Sequence, residues 1–368
     1  MTQSSEPLVS ILVPAFNAKA TLADTLQSAL ASSHANLEVV LVDDGSADGT
    51  AAIAESFARR DARLRLFRQQ HRGVSAALNF GLTQIRGELV ARLDADDLWH
   101  PTKLEKQVAL LAADPALALA YTFVRYVDAS GRIVRDAAPQ DLRRRALCQC
   151  LYDGIVGGGS SVVFRRSLLE RPTSYDERLS VWEDLLLHLR LAAAGTIASV
   201  PEYLTAYRLR EMSSSADRTK SLKNWRIAYR IIESDFPQIP KFVHSWSNAR
   251  RLLELAEGFA LDRRYATSVM LLAECLAADP VRATAFLAYR LRRRLSGNRS
   301  PLRCNGPPFA DAEVKTNYCL TPFDAGLEGD RLNALDERRR RLLRSIDSRL
   351  SPRPTGAEET TPLAVAAP

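Results

Sequence analysis

Three acidic segments of this 368-residue chain have the residue types and spacing to do chemistry: Asp43-Asp44-Gly45-Ser46, Asp94-Ala95-Asp96-Asp97 and Trp182-Glu183-Asp184. Asp-x-Asp supplies hard oxygen ligands, suited to a divalent cation that also takes phosphate oxygens. Three carboxylates within four residues repel one another, and a divalent ion would relieve that repulsion. A solvated acidic turn is the plainer reading of such a segment alone. Asp44, Ser46, Asp48, Gly49 and Glu55 fall close to EF-hand spacing, but an EF-hand needs a helix before its loop, and the preceding LEVVLV reads as a strand. Glu183 and Asp184 read first as a helix N-cap pair, because helix N-termini favour carboxylates. The same effects keep a carboxylate ionised, as a general base requires. Aspartate is a weak base near neutral pH, so burial or a neighbouring charge such as Glu183 would have to raise its pKa. His188 follows Asp184 by one helical turn and reads as a structural histidine.

The elements that must hold these acids alternate between two periodicities. Leu8–Val13 and Leu37–Val42 read as buried, largely apolar strands, Arg63–Arg68 alternates like a strand, and Glu88–Leu93 reads as a fourth. Between them Ala20–Ser32, Asp48–Arg60 and Val74–Ile85 have helical spacing. A β-α-β-α-β-α-β order predicts a parallel sheet flanked by helices, with ligands at the carboxyl ends of the strands. The first two acidic segments sit at such ends. Further on, Pro101–Ala113 reads as a helix, Leu117–Val127 and Ser161–Phe164 as strands, and Trp182–Ala194 as an apolar helix. The expected division is an α/β domain over 1–215, an all-helical region over 216–299, and a mostly disordered tail over 300–368 with one short basic helix near Leu332–Ile346. Ala256–Pro280 resembles a single tetratricopeptide-type helical pair, too little for a repeat fold.

Composition narrows the class. With 46% hydrophobic and 25% charged residues, the chain is neither disordered throughout nor collagenous nor a coiled coil. No apolar run approaches the roughly 20 residues of a membrane span, and the N-terminus lacks the pattern of a signal peptide. Five cysteines do not make a disulfide framework, so a cytoplasmic, reduced, soluble protein is expected. The net charge of +7 lies wholly in the second part: residues 1–215 hold 24 Lys+Arg against 25 Asp+Glu, and residues 216–368 hold 26 against 18. Residues 281–299 carry Arg282, Arg290, Arg292, Arg293, Arg294 and Arg299 beside a Leu287, Leu291, Leu295 stripe. That pattern fits peripheral contact with an anionic membrane, or else a packed stripe with a solvated basic face. The basic segments lack the interleaved aromatics of a nucleic-acid site, so no nucleic-acid partner is expected.

Taken together, VSILVPAFNAKATLADTLQSAL, VVLVDDGSADGT, GVSAALNFGL…GELVARLDADD and WEDLLLHLRLAAAG resemble glycosyltransferase family 2 in order and spacing, over about residues 8–212. The resemblance implies the GT-A fold, a mostly parallel sheet flanked by helices. It also implies inverting transfer of a sugar from a nucleotide-diphosphate donor to a hydroxyl of a glycan or lipid-linked acceptor, in cell-surface polysaccharide biosynthesis. By the same resemblance, Pro14, Ala15 and Phe16 would line the base and ribose pocket, and Asp44 would hydrogen-bond the nucleobase. Asp94 and Asp96 would hold a divalent cation, Mg²⁺ or Mn²⁺, with Asp97 sharing it. Asp184 would be the catalytic base beside Glu183, Gly158, Gly159 and Ser160 would lie near the acceptor, and Arg208 and Arg210 would approach the diphosphate. Lys19, Arg72 and Leu78 depart from residues common in the family, which leaves the donor base and sugar open. A catalytically silent nucleotide-sugar binder would be marked by loss of Asp-x-Asp or Glu-Asp, and both are present.

Overall fold

The computed structural model describes residues 6–137, 142, 145–155, 157–169, 174–209, 217–295, 309, 313 and 329–350. Strands β1 (Val9–Ala15), β2 (Leu37–Asp43), β3 (Leu64–Arg68) and β4 (Leu89–Arg92) alternate with helices α1 (Leu22–Leu30), α2 (Thr50–Ala58) and α3 (Val74–Gln84). Every residue of β1, β2 and β4 is buried. Apolar layers lie against both faces of this sheet, which is why the sequence there is predominantly apolar rather than alternating. β1 runs on through Pro14 to Ala15, past the stop that the proline suggested. The Leu12 carbonyl accepts from Leu93 N on the β4 side, and Pro14, two residues on, faces the same way beyond the last β1–β4 pair. Its missing N–H therefore breaks no ladder bond.

β5 (Leu98–Trp99), α4 (Lys103–Ala113), β6 (Leu117–Val127), β7 (Ile133–Asp136), α5 (Leu147–Asp153), β8 (Val162–Arg165), α6 (Glu183–Ala194) and β9 (Thr196–Arg208) follow. Among the described residues the sheet has nine strands in the order β3-β2-β1-β4-β8-β6-β9-β5, with β7 beside β6. It is parallel from β3 to β4, as the alternating pattern predicts. β8 then runs antiparallel between β4 and β6, and β9 runs parallel to β6. This insertion brings the loop before β8 alongside the carboxyl end of β4.

The rest is helical: α7 (Arg218–Asp235), α8 (Lys241–Leu261), α9 (Tyr265–Ala278), α10 (Pro280–Leu295) and α11 (Gly329–Leu350). One apolar cluster continues from Leu12 and Val40 on the sheet through α5 and α6 to Trp225, Phe259 and Leu343. α11 is longer than the short basic helix expected of the tail, and it is docked rather than free. Arg339 pairs with Asp279 and Arg340 with Asp153. Asp347 accepts from the backbone N–H groups of Cys148 and Gln149 at 2.8 and 3.2 Å, capping α5. Arg282, expected among lipid-facing arginines, is corrected by this arrangement: it is buried and pairs with Asp336, because an unpaired guanidinium could not be buried there. Leu287 is exposed, whereas the side chains of Leu291 and Leu295 and most of the tail lie outside the described residues. Cys148, Cys150 and Cys275 are buried free thiols.

Candidate active site

The carboxyl ends of β1 and β4 and the N-terminus of α6 face one cavity of about 570 Å³. Pro14, Phe16, Arg92, Asp94, Asp96, Tyr126, Gly158, Trp182, Glu183 and Asp184 are among its lining residues. A parallel sheet puts ligands at this edge for a simple reason: strand ends there leave backbone and side-chain polar groups unpaired by the ladder.

On one side lies the loop after β2. The buried Asp44 carboxylate accepts from Gln69 Nε2 at 2.7 Å and from the backbone N–H groups of Arg72 and Gly73 at 2.9 and 2.8 Å. It thereby ties the 69–73 segment to β2, and His71 from that segment stacks on Phe16 with ring centroids 4.0 Å apart. The outcome is a flat aromatic platform at the cavity edge, resting on Asp44.

The acidic loop after β4 is pinned from below. Asp94 N donates to Ser160 Oγ at 3.0 Å, and the Ser160 carbonyl accepts from Trp99 Nε1 at 2.8 Å. The Asp97 side chain is fully buried and its Oδ1 accepts from Arg208 N at 3.0 Å. Burial first, and then the charges of Asp96 and Asp94, push the Asp97 carboxyl well above the usual carboxylate range. Arg208 is also turned inward: its guanidinium donates to the carbonyls of Asp96 and Ala129 and lies near Asp24. Asp94 and Asp96 are thus presented to the cavity by a base made of Asp97, Ser160 and Arg208.

On the opposite side α6 begins. Trp182 adopts φ 72°, a left-handed conformation rare for a non-glycine residue. It is held there by an edge-on contact with Trp225 at 5.4 Å and by a hydrogen bond from its Nε1 to the Ser221 carbonyl at 3.3 Å. Asp184 Oδ1 accepts from Leu185 N at 2.7 Å within the first turn; the N-cap position itself is Trp182, which has no side-chain cap bond, so the expected N-cap pair does not form. Gly158, at φ 50°, comes so close to Asp184 that a Cβ there would lie 2.3 Å from Oδ2. Glu183 is buried against Arg92; burial, with help from the Asp184 charge, raises its pKa despite that guanidinium. A smaller chamber of about 190 Å³ continues behind Asp184, lined by Tyr126, Trp182, His188 and, from α8, Arg251. Burial pushes the His188 imidazole down to about 4, so it is neutral near pH 7, consistent with a structural histidine.

The structure therefore gathers Pro14, Phe16, Asp94, Asp96, Gly158, Glu183 and Asp184 around one cavity. It sets Ala15, Asp44, Asp97, Gly159, Ser160 and Arg208 behind that lining. Arg210 lies outside the described residues. Sequence reasoning missed Arg92, Tyr126, Trp182 and Arg251. An arginine inside the otherwise apolar LVAR strand was a usable signal, since a buried charge needs partners.

The same architecture occurs in solved structures. S. aureus TarS (residues 1–349, in complex with UDP-GlcNAc) superposes with a TM-score of 0.57 at 20% identity, covering 78% of this chain and 86% of that one. The mannosyltransferase PcManGT of Pyrobaculum calidifontis, in complex with GDP-Man and Mn²⁺, gives 0.54 at 24% identity, covering 79% and 81%. The fold is GT-A. In sequence, residues 10–171 match the model of "Glycosyl transferase family 2". The chain is 31% identical over 237 residues to the Bacillus subtilis protein named "Putative teichuronic acid biosynthesis glycosyltransferase TuaG", covering 62% of this chain and 89% of that protein. It is 29% identical over 239 residues to the Escherichia coli UDP-Glc:alpha-D-GlcNAc-diphosphoundecaprenol beta-1,3-glucosyltransferase WfgD, covering 63% and 89%. The chain belongs to glycosyltransferase family 2, and it is a glycosyltransferase.

Proposed function

We propose that this enzyme transfers a sugar, with inversion, from a nucleotide-diphosphate donor to a hydroxyl of a glycan or lipid-linked acceptor, in the building of a cell-surface polysaccharide. The observation that carries the reading is a single cavity with Asp94 and Asp96 on one wall and Glu183 and Asp184 on another. The Phe16–His71 platform and the loop that Asp44 holds suit a nucleobase, and Asp94 and Asp96 face the space where a diphosphate would lie. The names of the relatives TuaG and WfgD support the polysaccharide setting and the lipid-linked acceptor.

The residues present fit a divalent cation of the Mg²⁺ or Mn²⁺ kind. Such an ion is held by one or two carboxylates plus phosphate oxygens rather than by a protein cage. Among the described residues no three potential ligand side chains converge, and Asp97 is sealed beneath the loop, so Asp94 and Asp96 are the pair that would hold it. When bound, the cation would act as a Lewis acid on the departing diphosphate. Asp184 accepts the acceptor hydroxyl proton as the new bond to the anomeric carbon forms and the bond to the diphosphate oxygen breaks. Attack from the face opposite the leaving group inverts the centre. Arg251, Trp182 and Tyr126 shape the acceptor side behind Asp184.

A screen of nucleotide sugars for thermal stabilisation, with Mn²⁺, Mg²⁺ or chelator, identifies the donor, since a ligand of the folded state raises stability by mass action. Asp184→Asn keeps size and an oxygen for the Leu185 N–H but cannot take the proton, so kcat is expected to fall about 10²–10⁴-fold with nucleotide binding retained. A variant turning over at the wild-type rate would leave Asp184 with a structural role only, at the start of α6.

A peripheral membrane contact completes the proposal. Among the described residues no helix is long and apolar enough to span a bilayer. Leu261, Tyr265, Val269, Met270 and Leu276, on the end of α8 and along α9, are large exposed apolar side chains. With the net positive charge of residues 216–368 they suit peripheral contact with anionic headgroups. Flotation with anionic and neutral vesicles at low and high salt tests this, and indifference to anionic vesicles at low salt would remove it.

A further inference from the structure

Arg92 ends β4 and is buried, yet it reaches in two directions. Its Nε donates to Asp94 Oδ1 at 2.9 Å, and its Nη2 lies 2.9 Å from Glu183 Oε1. Its Nη1 has no hydrogen-bond partner among the described residues. The stem crosses directly over Gly159, where a Cβ would stand 2.1 Å from Arg92 Cδ, and the Tyr175 ring lies 5.9 Å from the guanidinium. A planar guanidinium with donors in fixed directions sets the position of two carboxylates relative to each other, which an ammonium cannot do. The two it joins belong to opposite walls of the cavity, and Glu183 is the residue before the base.

Resting on the transferase reading above, we propose that Arg92 is a positioning residue with two opposed effects. It fixes the Glu183–Asp184 pair relative to Asp94, and it competes with the incoming cation for the Asp94 carboxylate. The first effect follows from the two 2.9 Å contacts. The second follows from Coulomb's law: a positive charge in contact with one ligand oxygen opposes a second positive charge at that carboxylate. A residue that merely props up the fold would support metal binding and turnover alike. Arg92 should support one and oppose the other.

The test compares the wild type with Arg92→Met, Arg92→Lys and the double variant Arg92→Met with Glu183→Gln. The double variant removes both halves of the buried pair and keeps the experiment decisive if Arg92→Met alone does not fold. Binding of UDP and of GDP with Mn²⁺ is measured by calorimetry, and transfer by release of nucleoside diphosphate from a nucleotide sugar. Removing the guanidinium is expected to tighten Mn²⁺-dependent nucleotide binding by about threefold or more. In the same proteins kcat should fall about a hundredfold, the scale of an ångström-sized misplacement. Arg92→Lys, which keeps the charge but not the fork, should lower kcat without raising affinity. If binding and turnover fall together in the folded variants, Arg92 is scaffold and the proposal is overturned. If the wild type itself binds neither nucleotide with Mn²⁺, the donor reading fails and takes this proposal with it, an outcome recognised by the wild type's own silence.

Discussion

Two groups of buried or half-buried aspartates lie in this molecule, and they are treated in opposite ways. In the helical part three acids are matched by arginine: Asp153 by Arg250 and Arg340, Asp279 by Arg339, and Asp336 by Arg282 and Arg250. Burial would raise the Asp336 pKa, but the Arg282 guanidinium outweighs it and holds the carboxyl below the usual range. At the strand ends three acids crowd into four residues, and the nearby arginines are committed elsewhere. Arg208 spends its guanidinium on carbonyls and Asp24, and Arg92 is shared with Glu183. Asp97 keeps an oxygen without a hydrogen-bond partner among the described residues. Matched acids tie the helices together, and on the proposed reading Asp94 and Asp96 are the acids that would meet a cation from outside.

Four experiments test that contrast. Asp96→Ala should produce the largest change, because on the proposed reading a cation at the leaving group would contribute several kcal/mol, and each 1.4 kcal/mol or so is tenfold in rate. The measurement is kcat/KM for a nucleotide sugar in Mn²⁺; wild-type turnover in excess chelator would show that the strand-end acids need no cation. Asp336→Ala strands the buried Arg282, so urea unfolding should reveal a loss of about 3–5 kcal/mol, with metal dependence intact. A midpoint equal to the wild type's would mean that the matched acids do not hold α11. His188 predicts a pH effect that separates a titrating core from the ion pairs. Unfolded, it titrates near 6.5; folded, burial pushes it down to about 4. Between those values the unfolded chain binds the proton and the folded chain does not. Its contribution is therefore full above about pH 6.5 and lost as pH falls toward 4, an amount of roughly 3 kcal/mol. His188→Gln should flatten this slope, and a slope that persists unchanged assigns it to other groups. The smallest effect belongs to Arg226→Ala, whose partner Glu274 is likewise exposed: about 0.5 kcal/mol or less, vanishing at high salt.

Much of the sheet was legible, because burial on both faces writes itself as continuous apolar runs, and β6 begins and ends where the sequence predicts. The acids of the site were legible too, since carboxylates at strand ends have few structural reasons to cluster. What the sequence hid depends on distant pairing. β9 is 13 residues long, interrupted by Pro201 and by register shifts against β6, so no clean alternation marks it. The docking of α11 rests on Asp153, Asp279 and Asp336, which meet their arginines only after folding. A run from Arg338 to Arg341 looks solvated until Arg339 and Arg340 find those acids.

The placement of Trp182 has an optical consequence. Of the chain's four indoles, Trp99 and Trp225 are sealed in the core, and Trp246 lies beneath the Arg339 guanidinium at 4.2 Å. Trp182 alone of the four lines the cavity, with Asp184 as its near neighbour and the Arg251 guanidinium 5.2 Å over its ring. On the proposed reading, a sugar entering beside Asp184 should change the polarity and quenching around that chromophore first. The unlabelled protein should then report acceptor arrival by its own emission, and Trp182→Phe supplies the dark control.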